Sequence, residues 1–236
     1  MPDYQALEKR FKEILDLRRR PVAVSFPAEL PEGIEKFSGS QPAGCSFWRL
    51  AADGRTLATA PSDHYNCPIG SYTLNIPLPD GRAKELPAVL ETMVSLGYLR
   101  MEEVPGIRVL PETPKNIVFA PLGDTPVSPD VVLFVAPAGK LMLLEEASIR
   151  AGSVSKLPLL ARPTCMAIPA ALAHGMVTSA GCIGNRIYTE IGDDEMYAAI
   201  PGRALEQIAR ELETVESANL ALAQYHRDRR SQLSTA

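Results

Sequence analysis

Residues 131–151 read VVLFVAPAGKLMLLEEASIRA. Residues 131–136 are apolar and rich in β-branched side chains, which predicts a strand that Pro137 ends; a helix is predicted over 139–151. A second apolar run at 116–120 reads as a strand just upstream. Strand and helix alternate here, which favours an α/β fold of mixed α+β character over an all-α bundle. This is also the most apolar part of the chain, yet Pro137 and Lys140 interrupt it within 131–144. It falls short of the roughly 20 residues that cross a bilayer, so no membrane span is expected.

Outward from this stretch, residues 21–26 (PVAVSF) form another apolar run, broken by Pro27, Pro31 and Gly33, as a buried strand followed by a loop would be. Leu7, Phe11, Ile14 and Leu15 recur at helical spacing, predicting a helix over 3–18 that ends before Pro21 and covers the sheet edge. Leu86, Val89, Leu90 and Met93 mark a helix over 83–96, stopped by Gly97. Leu205, Ile208, Leu212 and Val215 mark the last, over 203–226, with a charged tail to Ala236 expected to fray.

The 236 residues, 46% of them hydrophobic, suffice for one sizeable core, and a single domain over 1–236 is expected. The net charge of -4 argues against a nucleic-acid surface, which needs a basic face for phosphate affinity. Residues 1–20 are charged and amphipathic with no apolar signal-peptide core, so a cytoplasmic location is expected. In that reducing setting four cysteines are free thiols, metal ligands or redox groups rather than structural disulfides.

An internal repeat places those cysteines in matching positions. Residues 45–54 (CSFWRLAADG) and 165–175 (CMAIPAALAHG) each open on a cysteine, run through an alanine-rich segment predicted to be a short helix, and close on glycine. A short extended stretch follows in each, then a second cysteine in a tight loop, Cys67-Pro68-Ile69-Gly70 or Cys182-Ile183-Gly184. Beyond these, Tyr72-Thr73 parallels Tyr188-Thr189, and Ile76-Pro77 parallels Ile200-Pro201. The domain therefore reads as a 1–20 helix followed by two degenerate copies of a strand, cysteine-loop and helix unit, at 21–97 and 130–226, related by a pseudo-twofold axis.

Such an axis brings two pairs of loop cysteines together at the junction. A thiolate is the form that binds metal, and a helix N-terminus or a nearby cation favours it, which is the setting predicted for Cys45 and Cys165. Gly44, Gly70, Gly181 and Gly184 let backbone N–H groups approach sulfur, as iron–sulfur sites often require, and Arg186, Arg49 and Arg162 supply balancing charge. The leading expectation is a [4Fe–4S] cluster on Cys45, Cys67, Cys165 and Cys182. None of these pairs has C-x-x-C spacing, and three alternatives stand beside the cluster: a structural zinc site, a dithiol redox pair within one half, and cysteines packed as small hydrophobes in a module that binds a small ligand without metal.

Other residues carry a second chemical reading. His64, three residues before Cys67, assists a thiolate or is a hydrogen-bonded structural residue; His174 fits a helix C-terminus. Asp193-Asp194-Glu195 holds a hard cation or starts a helix before Met196. Phe47 and Trp48 wall a pocket or pack in the core. No general acid–base pair, phosphate loop or nucleophile elbow stands out.

These segments together resemble the uncharacterised prokaryotic family known as domain of unknown function 169. The resemblance spans nearly the whole chain and rests on Pro21-Val22-Ala23-Val24, Cys45 and its short helix, Asn66-Cys67-x-x-Gly70, Asp130-Val131-Val132, and Gly181-Cys182-x-Gly184-x-Arg186 leading to Asp193-Asp194-Glu195 and Ile200-Pro201-Gly202. It implies a family and no reaction. The function expected is cluster binding for electron transfer or for cluster-dependent chemistry on a small molecule. Partners expected are a small molecule or a redox protein, with no nucleic acid and no membrane, and a homo-oligomer is compatible with this reading.

Overall fold

The computed structural model describes residues 2–157, 159, 160 and 162–234. Its centre is a six-stranded sheet of β1 (Val22–Ser25), β2 (Leu57–Thr59), β3 (Ile117–Pro121), β4 (Val131–Pro137), β5 (Val177–Ser179) and β6 (Glu195–Pro201). The strand order is β2-β3-β1-β4-β6-β5, and every pairing between these strands is antiparallel. Alternation of strand and helix therefore gives an α+β fold with an antiparallel sheet. The short strand β5 intervenes in sequence between β4 and β6 and takes the edge, which reverses the chain before it returns to lie beside β4. Outward from the central β1/β4 pair, each side of the sheet carries the first, third and second strand of its half of the chain.

Side chains of the central strands alternate between two apolar layers, as the two-residue period of a strand requires. Val22 and Val24 of β1, Leu133 of β4 and Ala199 of β6 enter one core. Ala23, Val132, Phe134 and Ile200 enter the other. Because both faces are covered, these strands read as continuous apolar runs. On the second face lie α1 (Tyr4–Leu15), α5 (Ala138–Arg150) and α8 (Leu205–Ser234). On the first lie α2 (Ser46–Ala52) and α6 (Ala167–His174), joined by α3 (Pro68–Thr73), α4 (Glu85–Ser95) and α7 (Ile183–Thr189).

Three expectations need correction. Helix α1 covers a face of the sheet and not its edge: Phe11, fully buried, meets Phe134 of central β4 edge-on at 4.9 Å. The helix is capped by Asp3, which accepts from the Ala6 N–H, and buried Glu8 ties it to the sheet by accepting from Arg20 and from the Gly123 N–H. Second, Asp193-Asp194-Glu195 starts no helix. It leads into strand β6, because Tyr197 and Ala199 point to one core while Ala198 and Ile200 point to the other. Third, the tail expected to fray continues α8 to Ser234, although Val215 is the last residue that the core buries; residues 235 and 236 lie outside the described residues. Among the described residues no helix is long and apolar enough to cross a membrane.

Candidate functional site

All four cysteines stand at the beginning of a helix. Cys45 caps α2, Cys67 caps α3 with Pro68 at its first position, and Cys182 caps α7. Cys165 sits in the single 3-10 turn, Thr164–Met166, that runs into α6. The second cysteine of each pair, expected in a loop, thus opens a helix instead; proline is favoured at a first helical position because its missing N–H has no intrahelical partner there anyway.

The four side chains line one cavity of about 280 Å³. Helix α4 roofs it with Val89, Leu90 and Met93, and none of the helix's residues is fully buried. The thiols are close enough that charge on one raises the pKa of another in all six pairings. Cys45 is 8% exposed, and Cys67, Cys165 and Cys182 are partly exposed. Burial pushes the Cys45 thiol up to about 12 and raises Cys67 and Cys165 as well, so these thiols are protonated at neutral pH.

Hydrogen-bond donors surround the sulfurs. Cys67 Sγ accepts from the Gly70 N–H at 3.3 Å and is approached by the Gly44 N–H. Asn185 faces Cys45, while Thr73, beside Cys165, donates its hydroxyl to the Gly70 carbonyl at 2.9 Å. Glycine at 70 leaves room for its N–H to approach Cys67, since a Cβ there would stand 3.0 Å from Cys67 Sγ and the sulfur would have to shift by a few tenths of an ångström. Among the described residues, no three His, Cys, Asp or Glu side chains are close enough to hold a single metal ion. Four thiolates on one zinc would lie roughly 3.8 Å apart, from Zn–S distances of about 2.3 Å in a tetrahedron.

Of the other residues expected around the cysteines, Gly44, Gly70 and Gly184 line the cavity. Gly181, at φ +80°, and Arg186 stand behind its wall. The Arg186 guanidinium donates to the carbonyls of Ala180, Gly192 and Glu195, so it braces the turn into β6 and is not turned to the sulfurs. Arg49 is held by Asp53 and Glu190. Arg162 does line the cavity, stacked over Tyr98 at 5.0 Å and bonded to Glu103 at 3.1 Å. The acidic run is occupied by arginines, Arg18 meeting Asp194 and Glu195 and Arg186 meeting Asp193. Phe47 and Trp48 are core residues, and His174 ends α6. Sequence reasoning missed Asn185 and Tyr98; the available signal for Asn185 was its position three residues after Cys182, one helical turn along.

His64 is buried beside the site. Its ring packs on Phe47, Nε2 shares a hydrogen bond with Thr59 Oγ1 at 2.9 Å, and Nδ1 has no partner. Burial lowers its pKa from 6.5 to about 4, so it is neutral in the fold. A folded-state value below the unfolded one gives stability that is present above about pH 6.5 and lost as pH falls toward 4. That amounts to about 3 kcal/mol. Urea titrations at pH 7 and pH 4.5 should register this loss in the unaltered protein and a flatter dependence in His64→Gln. An equal slope in both would assign the acid sensitivity to other groups.

The chain matches the model of the family DUF169, described as Uncharacterised ArCR, over residues 10–211. It is 26% identical over 225 residues to an uncharacterized protein of Methanocaldococcus jannaschii, a match covering 87% of this chain and 91% of the relative. No solved structure matches.

Proposed function

This chain belongs to the DUF169 family, and we propose that it is an iron–sulfur protein holding a [4Fe–4S] cluster on Cys45, Cys67, Cys165 and Cys182. The observation that carries the reading is that four cysteines, each at a helix start, line one cavity from four separate segments. A donor set of four thiols with peptide N–H groups aimed at sulfur suits a cluster. A cavity lined by four thiols suits a multi-iron core better than a single zinc, and Cys45, Cys67 and Cys165 combine that exposure to the cavity with packing against the apolar core. Full ligation by four cysteines leaves no iron open to a substrate, so electron transfer with a redox protein is the favoured role over chemistry on a small molecule. A reducing cytoplasm fits four free thiols.

The same reading takes the two halves as degenerate copies related by an axis between β1 and β4. The strand order supports it, as does the recurrence in each half of cysteine, helix, edge strand, cysteine and helix. On this basis the counterpart of β6 and Ile200-Pro201 is β3 with Ala120-Pro121, in place of Ile76-Pro77.

The test is iron, zinc and acid-labile sulfide content with an absorption spectrum, on protein purified without oxygen and without a metal-affinity tag. Brown protein with about four irons and four sulfides per chain is expected. About one zinc per chain would make the site structural. Colourless protein that resists cluster reconstitution would leave a small-ligand module beneath the apolar roof of α4.

A further inference from the structure

We infer that Asn185 donates a hydrogen bond to the Cys45 ligand and thereby raises the reduction potential of the cluster; the inference rests on the cluster reading above. Asn185 lies in the first turn of α7, is 2% exposed, and lines the cavity that the cysteines share. Neither its Nδ2 nor its Oδ1 has a hydrogen-bond partner. A buried amide with both ends unpaired is an expensive arrangement that calls for a partner the protein alone does not supply.

The surroundings identify that partner. The Asn185 side chain lies against the Cys45 thiol and the Tyr197 hydroxyl. The Tyr197 hydroxyl donates to Thr189 Oγ1 at 3.0 Å, so toward Asn185 it has only acceptor capacity left. Asn185 Oδ1 lies beside Gly181, where a Cβ would stand 3.2 Å from it, so Nδ2 is the end that faces Tyr197 and Cys45, with one hydrogen for the hydroxyl and one for sulfur. A neutral thiol accepts weakly, whereas a thiolate ligand is a strong acceptor. Loading the cluster would therefore convert Cys45 into a strong acceptor for one of the two Nδ2 hydrogens.

Reduction adds one electron to the cluster, taken from a redox-protein donor, and changes no bond or proton. The added negative charge is spread over the sulfurs, so a donor to a ligand sulfur stabilises the reduced state more than the oxidised one. The side chains of Val89, Leu90 and Met93 offer no N–H, and toward Cys45 the side-chain donor is Asn185.

The experiment is a dithionite redox titration, followed optically, of the anaerobically purified full chain and of Asn185→Leu, with iron and sulfide measured on each. Asn185→Leu is expected to keep its iron and sulfide and to shift the oxidised-to-reduced ratio at a fixed ambient potential about tenfold toward oxidised, which is about 59 mV for a one-electron couple. Asn185→Asp keeps the shape and replaces the N–H groups with a carboxylate, whose charge adds to their loss, so it is expected to shift further in the same direction. A loaded variant with an unchanged potential overturns the inference. So does loss of the cluster from both variants while circular dichroism stays native, because Asn185 would then be needed for assembly and not for tuning. Absence of iron and sulfide from the unaltered protein overturns the cluster reading itself, and this inference falls with it.

Discussion

Cys182→Ser, purified without oxygen, is expected to lose at least about tenfold in cluster occupancy under challenge by a chelator, and Cys45→Ser, Cys67→Ser and Cys165→Ser are expected to behave alike. A serine hydroxyl does not ionise near neutral pH and is a hard oxygen donor where iron–sulfur chemistry prefers soft thiolate. The equality of the four effects is the informative part. All four thiols line the same cavity. A redox dithiol confined to one half would instead make Cys45 and Cys67 matter while Cys165 and Cys182 did not, or the reverse. Thiols serving only as packing would leave metal content untouched and cost about 1 kcal/mol of stability each. Full iron in Cys182→Ser would remove the four-cysteine site from consideration.

The largest stability effect is expected at Gly202, where β6 ends beside the start of β4. Its N–H donates to the Asp130 carbonyl at 2.8 Å, and a Cβ at this position would stand 1.8 Å from the Pro129 carbonyl oxygen. No side-chain rotation relieves a clash between Cβ and a backbone oxygen, so alanine must push the end of β6 away from β4. Those two strands hold the longest ladder in the sheet, from the Val131–Pro201 pair to the Pro137–Glu195 pair. Gly202→Ala is expected to destabilise the fold by about 3 kcal/mol. Urea titration should show a lower midpoint at an unchanged slope. A loss under about 1 kcal/mol would mean that residues 129–130 yield without disturbing the ladder.

Local elements were legible where local periodicity reports burial. The apolar runs at 21–26, 116–120 and 131–136 are β1, β3 and β4 to within a residue or so, and the helices over 139–151 and 83–96 are α5 and α4. The extended stretch after each short helix is β2 or β5. Reading failed at β6. An acidic triplet is a sound helix-start signal when nothing else competes, but here Glu195 is buried at the head of a strand and its partner Arg18 comes from the far end of the chain. The role expected of Arg186 failed for a related reason: its guanidinium is consumed by carbonyls of a turn that exists only once β6 is in place.

By itself, the sequence determined the segments and the residue types of the site: the strands and helices with clear periodicity, the pairing of each cysteine with a short helical segment, and the membership in the DUF169 family. These depend on contacts a few residues apart along the chain, which composition and spacing express directly. Only the tertiary structure decided that the sheet is antiparallel throughout, that α1 lies on its face, that four helix starts turn their cysteines to one cavity, and that Asn185 stands unpaired among them. Each of these is a juxtaposition of residues distant in sequence, and which strand lies beside which is settled by the burial of both sheet faces at once, a condition that no local window of the chain contains.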